Sequence, residues 1–173
     1  MTLAADLLTT SRGLIAIGLI AAISGRHLST VAVLISVAWL TDLFDGRAAR
    51  AGAGSTRLGR WDLGVDTMVG VGALVGLLMA GAIPVWLAWG ALLLLGVPFA
   101  IFRHPTLSMV LQAIAYAGVL ALLWREAGAI RWLPPLTIAT ILVIGFNRFR
   151  ETTLPTFFSG FLELLPERGG ERR

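Results

Sequence analysis

The chain has 173 residues, 57% of them hydrophobic and 14% charged, with a mean hydropathy of +0.83 and a net charge of +4 in which every basic residue is arginine. A soluble domain is excluded by that composition, and the absence of cysteine excludes a disulfide framework and thiolate metal chemistry. The basic residues form no stripe interleaved with aromatics on a polar face, so a nucleic-acid partner is not expected either.

The apolar segments are rich in Leu, Ala, Gly and Val and run for roughly the ~20 residues a helix needs to cross a bilayer, whereas barrel strands would alternate over about 10. The expected class is therefore all-α: a polytopic integral membrane protein of six transmembrane helices. The first is expected over residues 7–24, closed by Gly25, Arg26 and His27, and is read as a retained helix because no basic segment and cleavage site precede it. The second covers 29–50. The third covers 60–80, closed by Gly81 and Pro84, and its Gly72-x-x-x-Gly76 face suits either close packing inside the bundle or a homodimer seam. The fourth, fifth and sixth are expected over 85–103, 106–124 and 134–150, with Pro105 and Pro134 at helix starts, where a missing N–H is harmless.

Beyond Arg150, Phe157, Phe158, Phe161, Leu162 and Leu165 fall on one helical face. An interfacial helix is therefore expected within 151–166, followed by a solvated tail over 167–173, with 1–150 as the transmembrane catalytic domain. Arg12, Arg47, Arg50, Arg57, Arg60, Arg103, Arg148, Arg150, Arg168, Arg172 and Arg173 collect on the side of the N-terminus, while Arg26, Arg125 and Arg131 lie on the other. By the positive-inside rule both termini face the cytoplasm. Trp86, Trp124 and Trp132 fall near the outer ends, as an aromatic belt would.

Four of the five aspartates lie between residues 42 and 66, between two runs apolar enough for membrane helices. Carboxylates at that depth are costly unless compensated, which marks them as a functional site. Asp42 and Asp45 share a helical face with Gly46 and Ala49, and Asp62 and Asp66 stack one turn apart. The short connection over 51–59 requires the end of the second helix and the start of the third to be neighbours, so the four acids converge on one cavity. Only oxygen ligands are offered there, which suits hard cations such as Mg²⁺, Mn²⁺ or Ca²⁺. Two divalent ions would balance four carboxylates and clamp the oxygens of a phosphoryl group.

The run Asp42-Leu-Phe-Asp45-Gly46-Arg-Ala-Ala49-Arg50, followed by Gly59, Asp62 and Asp66, resembles the signature of the CDP-alcohol phosphatidyltransferase family, D-x-x-D-G-x-x-A-R then G-x-x-x-D-x-x-x-D. Leu8-Thr9-Thr10-Ser11-Arg12 is similar to the family's L-T-x-x-R, with Asp6 where an Asn is common. One departure is that two residues separate Gly59 from Asp62 where the family has three, which concerns the glycine contact to nucleotide more than the acids.

The resemblance implies a six-helix enzyme that transfers the phosphatidyl group of a CDP-lipid, CDP-diacylglycerol being the expected donor, to a polar alcohol with release of CMP. It implies that Asp42, Asp45, Asp62 and Asp66 hold two divalent cations, Mg²⁺ or Mn²⁺, with Asp66 also the catalytic general base. Gly46, Ala49, Arg50 and Gly59 would meet the nucleotide. Arg103, Arg148 and Arg150, at the inner ends of the fourth and sixth helices, are candidates for binding a phosphorylated acceptor. The expected location is a bacterial or archaeal plasma membrane with the site on the cytoplasmic side. Two alternatives stand beside this reading: a catalytically silent CDP-lipid-binding member, and a cation- or proton-coupled transporter using the same acids.

Overall fold

The computed structural model describes residues 2–51 and 62–148, together with 150, 151, 155 and 159. Gly59 and the tail over 167–173 lie outside the described residues, as does most of the segment 151–166 read as an interfacial helix. Among those described there is no strand.

The described residues form six rods. They are α1 (Thr2–Ser24), α2 (Leu28–Ala51), α3 (Asp62–Met79), a fourth rod spanning Val85–Phe102, α6 (Pro105–Glu126) and α7 (Leu133–Arg148). The fourth rod is α4 (Val85–Ala91), a π turn at Leu92–Gly96 and α5 (Val97–Phe102). Its widened turn has a local cause: Pro98 has no N–H for the fourth carbonyl back, and its ring would crowd that carbonyl in a regular helix. Between α6 and α7 a single 3₁₀ turn, Gly128–Trp132, closes the bundle.

Stop signals sit where the chain turns. α1 ends on Arg26 in the left-handed region (φ 56°), with His27 N–H donating to the Ala22 carbonyl at 2.8 Å. α3 ends on Gly81 (φ 63°) with the same pattern, Ala82 N–H donating to Leu77 at 2.9 Å. The glycine bears this conformation freely; the arginine does so under strain.

Three rods, Val85–Phe102, Pro105–Glu126 and Gly128–Phe146, are long and apolar enough to cross a membrane. The apolar stretches of the other three are shorter, Thr10–Ser24, Leu28–Leu43 and Leu63–Met79.

The core is apolar, but it also takes in polar residues while the surface is strongly apolar. Arg12, Ser36, Thr67, Thr106, Ser108 and Thr137 are buried, while Leu14, Ile17, Leu94, Phe102 and Val143 are exposed. Such a surface suits a lipid environment, where apolar side chains face outward and polar groups find partners inside. Lipid tails are as apolar as leucine, so close backbone approach supplies much of the cohesion. A Cβ on Gly72 would lie 2.6 Å from the Ala16 carbonyl oxygen, and one on Gly76 would lie 2.9 Å from the Ile23 Cβ. The small-residue face of α3 is thus filled by α1 within the bundle.

Among the described residues α1 lies against both α2 and α3. The glycine face of α3 draws α1 in, and Arg12 of α1 lies between Asp42 of α2 and Asp66 of α3.

Candidate functional site

At the end of the bundle where α1 begins, Arg12 is almost wholly enclosed, its side chain 1% exposed. Its Nη1 donates to Asp42 Oδ1 on α2 at 3.1 Å and also to Asp66 Oδ1 on α3. One guanidinium thus joins two carboxylates that stand 24 positions apart in the chain. The two acids differ in setting: the Asp42 side chain is 64% exposed and that of Asp66 is 22% exposed. Asp42 faces the mouth, and Asp66 stands further in.

Beneath them lies a small cavity of about 70 Å³, lined by Arg12, Asp42, Asp66, Trp39, Gln112 and Tyr116 together with Ala38 and Val69. A polar ladder on α6 forms its floor. Tyr116 OH donates to Gln112 Oε1 at 3.2 Å, and Gln112 Nε2 donates to Ser108 Oγ at 2.9 Å. Ser108 Oγ is in turn 2.6 Å from Thr67 Oγ1 on α3, which donates to the Leu63 carbonyl. Trp39 packs edge-on against Tyr116, their ring centroids 5.3 Å apart. Gly70 makes the approach possible, since a Cβ there would stand 2.9 Å from Gln112 Cγ. At this size, and with these polar partners, the cavity suits one or two waters or a small polar group.

Asp45, Gly46, Ala49 and Arg50 lie on the last turns of α2, and Asp62 is the first residue of α3; their side chains fall outside those described, as does that of Arg148. Of the four expected metal-binding acids, the structure therefore brings together Asp42 and Asp66. Among the described residues no group of three or more metal-binding side chains forms. The donor chemistry nevertheless fits a hard cation, for the anionic donors of the described lining are both carboxylates, with two negative charges against the one positive charge of Arg12.

Arg103 follows α5 in the left-handed region (φ 51°) and is exposed. It borders a second cleft of about 380 Å³, formed with Leu63, Gly64, Thr67 and Met68 of α3 and with Phe99 of α5. Arg150 is also exposed, beyond α7, which packs on α2. Arg103 thus belongs to the α3 flank and Arg150 to the α2 flank; no described contact joins them into one cluster.

Sequence reasoning placed Arg12 only among the topology-setting arginines and within a motif likeness, and it passed over Ser108, Gln112 and Tyr116. The signal for these three was present: polar residues four apart form a single stripe along an otherwise apolar helix.

A bundle of apolar rods that holds a buried arginine between two aspartates at one end defines a helical membrane protein with a charged site. The chain belongs to the CDP-alcohol phosphatidyltransferase family, whose model matches residues 2–157. No curated protein and no solved structure matches it. Phosphatidyl transfer from a CDP-alcohol is the activity that this membership suggests.

Proposed function

We propose that the protein transfers the phosphatidyl group of CDP-diacylglycerol to a polar alcohol, releasing CMP, at the cavity shared by Arg12, Asp42 and Asp66. The observation that carries the reading is the convergence of Asp42 and Asp66 on one buried guanidinium, within a chain whose family match spans both acids. Asp42, Asp45, Asp62 and Asp66 would hold two Mg²⁺ or Mn²⁺ ions, which when bound supply positive charge to the phosphates of the donor. Asp66, the more enclosed of the two described acids, would take the proton from the acceptor hydroxyl. Gly46, Ala49, Arg50 and Gly59 would admit the nucleotide.

The cleft between α3 and α5 is lined by the first turns of α3 on either side of Asp66 in the chain, and its apolar walls suit an acyl chain. Arg103 at its border, with Arg148 and Arg150 on the other flank, would hold an acceptor that carries its own phosphate. Both termini and the site are assigned to the cytoplasmic side.

The test is release of CMP from CDP-diacylglycerol by the purified protein, with Mg²⁺ or Mn²⁺ and a panel of neutral and phosphorylated alcohols, products being identified by mass spectrometry. Release that needs both metal and acceptor is the expected result. Donor binding without turnover on any acceptor would instead mark a silent family member. Arg103→Gln, Arg148→Gln and Arg150→Gln should each raise the acceptor KM; turnover confined to uncharged alcohols would remove the phosphate-binding role.

A further inference from the structure

At the end of the bundle remote from the acids, the last turn of α3, the turn into α4 and the outer half of α6 enclose an open cleft of about 670 Å³. That volume lies within the ~300–1,000 Å³ typical of ligand sites. Its walls are Leu74, Ile83, Leu87, Ile114 and Leu122, and Ala117 and Ala121 present little side chain to it from α6. The phosphatidyltransferase reading makes no use of it.

The rim is charged and held in place. Arg26, in its strained left-handed conformation, donates from Nη1 to both carboxylate oxygens of Glu126 at 2.5 and 2.6 Å, and from Nη2 to the Ala80 carbonyl at 2.8 Å. The ends of α1, α3 and α6 are thus tied together by one guanidinium. Strain of this kind persists where the surrounding contacts over-determine it. Glu126 is spent on Arg26, whereas Arg125, the next rim residue, is exposed and makes no ion pair among the described residues. The rim carries two positive charges and one negative, over an apolar trough that opens to the flank of a membrane bundle.

We propose that this cleft binds one anionic phospholipid of the surrounding bilayer, its phosphate on Arg125 and one acyl chain in the trough. Charge complementarity selects the headgroup: the net charge of the rim is +1, and a zwitterionic lipid would bring its own cation to the same place. The lengthwise apolar wall selects a chain-bearing ligand over a free phosphate. The bound lipid would cover the cleft where the end of α3, the turn into α4 and α6 meet. The inference does not rest on catalytic activity.

Thermal unfolding of the full-length protein in uncharged detergent tests this. Phosphatidylglycerol should raise the unfolding midpoint by several degrees, whereas phosphatidylcholine and inorganic phosphate should not. Arg125→Gln removes the charge at an exposed position, and Ala121→Phe fills the trough from an exposed position. Both variants should keep the unliganded midpoint and lose the response to phosphatidylglycerol. Asp66→Asn, at the other end of the bundle, should retain that response. The proposal is overturned if phosphatidylcholine stabilises as well as phosphatidylglycerol, if both cleft variants respond like the wild type, or if Asp66→Asn abolishes the response. It is equally overturned if Ala121→Phe splits a dimer, which would make a second copy of the chain the occupant.

Discussion

A guanidinium as enclosed as that of Arg12 is tolerable only because carboxylates meet it. Removing its charge while keeping its bulk, as in Arg12→Met, leaves Asp42 and Asp66 facing each other without a cation. With Asp42 largely exposed to solvent, the cost falls at the level of a lost charged hydrogen bond, about 1–3 kcal/mol, and not at that of a fully buried pair. A lower unfolding midpoint is expected, with a larger stabilisation by added Mg²⁺ than the wild type shows, because the ion can then take over the countercharge. If Mg²⁺ stabilises both proteins equally, Arg12 and the metal do not share this site. Asp66→Asn belongs at the same scale. The loss of a general base should slow the chemical step by about 10²- to 10⁴-fold while CDP-lipid binding changes far less, which single-turnover rates and binding isotherms would separate.

Between elements, the decisive contact is the glycine face of α3 on α1. Gly72→Leu would drive a branched side chain into the Ala16 carbonyl, which is backbone and cannot swing away. Overpacking of this kind costs about 1–3 kcal/mol, and here it also pushes Arg12 off the acids. Gly64→Ala, where a Cβ would meet nothing within 4 Å, should leave the protein as stable as before. Unfolding midpoints of the two variants, with CMP release as a second readout, would show whether the α1–α3 seam sets the site. Equal midpoints would deny the seam that importance. The Gly72-x-x-x-Gly76 pattern was readable in the sequence as a packing face, but its occupant was not: small-residue faces serve a neighbouring helix and a partner chain equally well.

For the whole molecule, the asymmetry of arginine predicts the orientation. The chain lacks cysteine, so single thiols can be introduced on a clean background. A thiol at exposed Ala129 should react with an impermeant maleimide in intact cells, and one at exposed Glu151 only after the membrane is opened. The reverse pattern would invert the molecule and place the acid cavity outside.

The sequence by itself determined the all-helical membrane class, the course of most helices among the described residues and the family, because hydrophobic run length, turn residues and motif spacing are local properties of the chain. It also singled out Asp42 and Asp66, since acids in an apolar setting are conspicuous wherever they fold. Only the tertiary structure decided that α1 lies between α2 and α3, that Arg12 joins the two acids, and that Ser108, Gln112 and Tyr116 of α6 line the space beneath them. Those facts depend on which helix faces meet. Helices in lipid choose their neighbours by fractions of an ångström of backbone approach at residues such as Gly70 and Gly72, and no local pattern in the chain records which surface arrives there.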